Sequence, residues 1–99
     1  MSDPPRLNGA QLRAARALLD WSAADLARAS RVSPATIQRL ERVHGVSPLA
    51  QERTLADLRR ALEKEGVLFI GTPRDRPGVR LAKPSRRLLG RADQLVQDE

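Results

Sequence analysis

Seven basic side chains, Arg74, Arg76, Arg80, Lys83, Arg86, Arg87 and Arg91, fall in one stretch of this 99-residue chain against a single acid, Asp75. Such a stretch can bind a polyanion. Arginine predominates over lysine throughout, which suits phosphate and base-edge contacts and fits a GC-rich genome equally well. The stretch by itself equals the net charge of +6 left by 18 basic and 12 acidic residues. The rest of the chain sums to zero, so a polyanion would meet a basic tail on a nearly neutral core. Catalytic chemistry has no comparable set. His44 is the only histidine and cysteine is absent, which excludes disulfides, thiolate metal sites and structural zinc. Asp20, Asp25 and Glu41 do not form a paired-carboxylate site, and Glu41 is expected to pair with an arginine on a neighbouring helix. With no nucleophile–base set and no phosphate-binding glycine loop, the chain reads as a non-enzyme without metal or cofactor.

The elements that would position any binding chemistry are most legible in residues 21–42, WSAADLARASRVSPATIQRLER. Exposed N–H groups at a helix start need an acceptor, and the entering chain needs an apolar clamp. Ser22 can cap one helix with Asp25 as its box partner, while Trp21 staples to Leu26. Trp21 is therefore read as core, not as a base-stacking platform. Ser33 can cap a second helix, with Pro34 at the first helical position and Val32 stapling to Ile37. Two starts so close leave room for a short helix, a tight turn and another helix, the outline of a helix-turn-helix. The spacing predicts helices over about residues 23–29 and 34–42. The first keeps Leu26 inside and small Ala27 where the next helix crosses. The second turns Ile37 and Leu40 inward and leaves Ala35, Thr36, Gln38, Arg39 and Arg42 mostly outward.

Upstream, Asn8 can cap a helix with Gln11 as box partner and Leu7 stapled to Leu12, and Leu12, Ala15 and Leu19 share one face. Downstream of a loop at His44–Gly45, Ser47–Pro48 repeats the cap-plus-proline signal. Leu55, Leu58 and Leu62 continue an apolar stripe through a fourth helix ending at Gly66. Residues 67–70, VLFI, read as a short buried strand, and Val79-Arg80-Leu81 can return as its antiparallel partner. A lone hairpin is marginal in water, so it should pack on the helices or on another subunit. Ser85 can cap a last helix carrying Leu88, Ala92, Leu95 and Val96 on one face, interrupted by Gly90. The expected fold is mainly α, with four to five helices followed by a short β-hairpin and a C-terminal helix. Its parts are a loose arm over residues 1–6, a helix-turn-helix DNA-binding domain over 7–66, and a hairpin with a basic extension over 67–99, a dimerisation element.

From Asn8 to Ile70 the chain resembles the phage-repressor (Xre-type) helix-turn-helix regulators. The resemblance is carried by SAADLARAS, by SPATIQRLER, and by LADLRRALEKEGVLFI, where a leucine helix runs into a GV-apolar strand. It implies that the helix starting at Ser33 enters the major groove of double-stranded DNA while the preceding helix crosses the phosphate backbone. Base contacts would then fall to Ala35 (a thymine methyl), Gln38 (adenine) and Arg39 (guanine). Backbone contacts would fall to Arg28, Arg31, Ser33, Thr36 and Arg42. Three positions depart from the family pattern. Arg31 stands where the family usually has glycine at positive φ, at a cost of about 1 kcal/mol. Ala23 replaces a frequent glutamine and loses a phosphate contact. Pro34 replaces a residue type that often reads bases. Base readout is therefore expected to be thin, with more of the affinity coming from backbone charge.

These readings add up to a homodimeric regulator on a pseudo-palindromic operator, controlled by its concentration, a protein partner or modification. Two alternatives remain open on sequence: an antitoxin-like or adaptor module whose main partner is a protein, and a nucleoid-type binder without sequence preference. Segment 74–91 has three readings: a DNA arm, a dimerisation hairpin plus helix, or a solubilising tail. The start MSDPPRLNGA lacks an apolar signal core and no apolar run is long enough to span a bilayer, so a cytoplasmic protein with no membrane partner is expected.

Overall fold

The side chain of Asn8 accepts a hydrogen bond from the Gln11 amide at 2.7 Å, and that of Gln11 accepts from the Asn8 amide at 3.1 Å. This reciprocal box opens the first helix of the computed structural model, which describes residues 7–43 and 51–82. Four helices, α1 (Gly9–Leu19), α2 (Ala23–Ser30), α3 (Pro34–Glu41) and α4 (Glu52–Lys64), precede strands β1 (Val67–Ile70) and β2 (Gly78–Leu81). The mainly α fold with a terminal hairpin expected from sequence is the one observed. The arm over 1–6, the loop at His44, the Ser47–Pro48 signal and everything from Lys83 onward, including the C-terminal helix, lie outside the described residues.

Each predicted cap of the first three helices forms. Ser22 accepts from the Asp25 amide at 3.1 Å while Asp25 accepts from the Ser22 amide at 2.9 Å. Ser33 accepts from the Thr36 amide at 3.2 Å, with Pro34 at the first helical position. The stapling residues Leu7, Leu12, Val32, Leu26 and Ile37 are all buried, and Trp21 packs half-buried against the same core. For α4, the described helix begins at Glu52 behind Gln51, whose side chain makes no capping bond; Glu52 in the first turn complements the helix dipole instead.

The core is the sum of the four predicted stripes: Leu12, Ala15 and Leu19 from α1, Leu26 from α2, Ile37 and Leu40 from α3, Leu55, Leu58 and Leu62 from α4. Burying each leucine contributes about 2 kcal/mol relative to leaving it in water. Val67 joins them from the hairpin. The strands pair antiparallel in the register Val67 with Leu81 and Phe69 with Val79, and this inward face packs on the helices. Arg59 of α4 stacks over the Phe69 ring at 5.2 Å. The expectation that all of VLFI is buried is corrected. Leu68 and Ile70 are 41% and 42% exposed, because successive strand residues point to opposite faces and a two-stranded ribbon has only one face against the helices.

Two amides at α1's start also hold the hairpin. Asn8 Nδ2 donates to the Pro73 carbonyl at 3.1 Å and Gln11 Nε2 donates to the Gly78 carbonyl at 3.2 Å. Gly66 exits α4 at φ 97°, the left-handed region that favours glycine, and its carbonyl accepts from Ala82 N at 2.6 Å, closing the hairpin's open end.

The turn between α2 and α3 is also left-handed. Arg31 closes α2 at φ 63°, ψ 25°, and its amide donates to the Ala27 carbonyl at 2.8 Å. An L-residue with a Cβ is disfavoured there by about 1–2 kcal/mol, part of which glycine gives back as unfolded-state entropy. Arg31→Gly should therefore raise the unfolding free energy by about 0.5–1 kcal/mol in urea denaturation. An unchanged or lower value would mean that the side chain itself stabilises the turn.

Candidate nucleic-acid interface

Helix α3 is held on one face and open on the other. Ile37 and Leu40 are buried, while Ala35, Gln38, Arg39 and Arg42 are exposed. Residues 35, 38, 39 and 42 follow the i, i+3, i+4, i+7 spacing of one helical face. A methyl group, an amide and two guanidinium groups therefore share a surface two turns long. Neither Arg39 nor Arg42 has an ion-pair or side-chain hydrogen-bond partner among the described residues, and the same is true of exposed Arg31.

The N-terminal end of this surface is wired internally. Ser33 Oγ accepts from the Thr36 amide and shares a hydrogen bond with Thr36 Oγ1 at 2.9 Å. One hydroxyl proton bridges the pair, and the other is left for an outside acceptor from either Ser33 or half-buried Thr36. Arg28, on exposed α2 surface, pairs with Asp25 one turn earlier. An exposed pair of this kind contributes at most about 0.5 kcal/mol, so it restrains Arg28 only weakly.

The opposite, C-terminal end of α3 is fixed against α1. Glu41 is buried and accepts two hydrogen bonds from Arg16, from Nε and Nη2, each 2.7 Å. The remaining Arg16 nitrogen, Nη1, donates to the Trp21 carbonyl at 3.0 Å. The predicted pairing of Glu41 with an arginine of another helix is realised by Arg16. These hydrogen bonds to Glu41 raise the guanidinium pKa above its ordinary value against the opposing effect of burial, so Arg16 keeps its charge in this half-buried position. Arg13 Nη1 donates to the Glu41 carbonyl, satisfying one of the last carbonyls of α3. Gly9 lies against the same end: a Cβ built there would meet the Leu40, Glu41 and Val43 carbonyl oxygens, none farther than 3.0 Å.

Sequence reasoning missed Gly9, Arg13 and Arg16 as the group that orients the exposed helix. Glycine at the first position of an otherwise good helix was the available signal, since nothing local requires it there. Of the basic stretch, the described residues Arg74, Arg76 and Arg80 are exposed on the hairpin. Arg76 pairs with adjacent Asp75, and Arg80 stands opposite Leu68 on the outer face.

Two capped helices joined by a left-handed turn, the second exposing a cationic face, are the geometry of one motif, and residues 9–68 match the family model for a helix-turn-helix domain. The chain belongs to the helix-turn-helix domain family. No curated protein and no solved structure matches it. The helix-turn-helix family is of DNA-binding regulator type, and its match here takes in all four helices and the first two residues of β1. The rest of the hairpin lies beyond the match. No helix of the described residues is long and apolar enough to cross a membrane.

Proposed function

We propose that the chain is a sequence-specific, double-stranded DNA-binding transcription regulator of the phage-repressor (Xre) type, acting as a homodimer. Helix α3 enters the major groove, with Ala35, Gln38 and Arg39 at base edges and Arg28, Arg31, Ser33, Thr36 and Arg42 at the backbone. The observation that carries this reading is the exposed face of α3, on which Gln38 and Arg39 stand side by side while the other face is locked into the core. Both side chains have bidentate hydrogen-bonding chemistry for a purine edge. In a twofold dimer the two α3 helices would reach successive major grooves, so the operator is pseudo-palindromic with half-sites about 34 Å apart.

The test is fluorescence anisotropy of the full chain on its own upstream promoter fragment and on a scrambled duplex, across a salt series. The promoter is expected to be preferred at physiological salt. Gln38→Ala and Arg39→Ala should each remove about 1–3 kcal/mol of that discrimination. Equal binding to both duplexes, weakening together as salt rises, would replace the regulator reading with a charge-driven binder.

The exposed pair Leu68 and Ile70 supports a second reading, an antitoxin-like or adaptor module that uses the hairpin to bind another protein. Under the first reading the same face joins two copies of this chain. Sedimentation separates the two: a homodimer supports the regulator, and a monomer that co-purifies with one stoichiometric partner supports the adaptor.

A further inference from the structure

An open groove of about 470 Å³ lies between the end of α2 with its turn and α4, and no residue of α3 lines it. Its charged lining is Arg31, Arg53, Arg60 and Lys64 against one acid, Asp57. Arg60 shares that acid at 3.5 Å, while Arg31, Arg53 and Lys64 have no ion-pair partner among the described residues. The groove therefore carries three positive charges in excess. Its remaining lining is alanine and serine, with no aromatic ring on which a base could stack.

We propose that this groove is a second DNA contact, holding the phosphodiester backbone that flanks the stretch occupied by α3. The inference rests on the reading of the chain as a DNA binder and extends its footprint. Three observations select a nucleic-acid backbone as the occupant. The lining is cationic and lacks a stacking surface, which fits phosphates and not nucleobases. The α4 residues 53, 57, 60 and 64 form one helical stripe about 16 Å long, enough to follow several phosphates of one strand. Arg31 belongs to the groove and stands two residues before Ser33, the cap of α3, so the turn that leads into α3 begins at the groove. Asp57 weakens the site from within: an approaching phosphate takes over Arg60 and leaves the carboxylate facing like charge.

The experiment compares the full chain with Arg53→Gln/Arg60→Gln/Lys64→Gln. All three side chains are exposed, so the variant keeps its fold, which circular dichroism verifies. The salt dependence of log K is measured on the promoter fragment and on the scrambled duplex, together with a hydroxyl-radical footprint on the promoter fragment. Each lost phosphate contact lowers the slope by about 0.9, so a fall of about two to three per bound chain is expected on both duplexes. Backbone protections flanking each half-site should disappear while those across α3's groove remain. Flanking protections that persist in the variant would overturn the proposal. If the wild type shows no promoter preference, the regulator reading fails, and the slope on the scrambled duplex still decides the groove.

Discussion

Gly9→Ala is expected to lower the unfolding free energy by about 2 kcal/mol and to weaken promoter binding at least tenfold. Helix propensity alone points the other way, since alanine gains up to about 1 kcal/mol over glycine within a helix. The sign is set by what surrounds the new methyl group: the carbonyl oxygens of Leu40, Glu41 and Val43, all backbone, none able to rotate aside. Overpacking of this kind costs about 1–3 kcal/mol and is relieved by moving one helix relative to the other. The helix that moves carries Gln38 and Arg39, which is why binding should suffer beyond what unfolding explains. Urea denaturation and anisotropy on the same preparation check both effects. A stabilised protein with normal affinity would show that the α1–α3 approach is not tight.

Arg16→Met should cost about 3 kcal/mol, the penalty for leaving a buried carboxylate without its partner. Glu41 is 7% exposed, and its carboxylate accepts hydrogen bonds from Arg16 Nε and Nη2. The double variant Arg16→Met/Glu41→Leu is expected to recover most of that loss, because an apolar pair of similar size removes the charge along with its need for a partner. The part not recovered reports the Trp21 carbonyl, which loses its hydrogen bond from Arg16 in both variants. A double-mutant cycle with coupling below about 0.5 kcal/mol would mean that Glu41 is reached by water in solution.

The helices were legible because their signals are local. Asn8, Ser22 and Ser33 each sit beside the amide they cap, and the leucines of each stripe lie within one or two turns of one another. The spacing of the two helix starts demanded a tight turn, but the strained position at Arg31 was readable only through the family resemblance, which implies a positive φ there. What orients α3 was not readable, because Gly9, Arg13 and Arg16 act on residues 25 or more positions away and each looks ordinary in its own turn. Strand burial failed for the same kind of reason: VLFI is apolar throughout, and only the tertiary arrangement decides that Leu68 and Ile70 face outward. Of the five positions that periodicity turned outward, Ala35, Gln38, Arg39 and Arg42 are exposed and Thr36 is half-buried. The groove cations on α4 were overlooked because Arg53, Arg60 and Lys64 are spread among acids in the sequence and converge only along a single helical face.

The capping box at Asn8 and Gln11 is built from two amides where serine and glutamate are the usual pair. With carbonyl oxygens spent on the helix start, the two NH₂ groups are free to reach Pro73 and Gly78. Those groups point at the hairpin only once the first turn of α1 has formed and fixed them. These two contacts to the hairpin therefore require the first turn of a helix more than sixty residues earlier, which couples the two ends of the described fold beyond what the shared apolar core does.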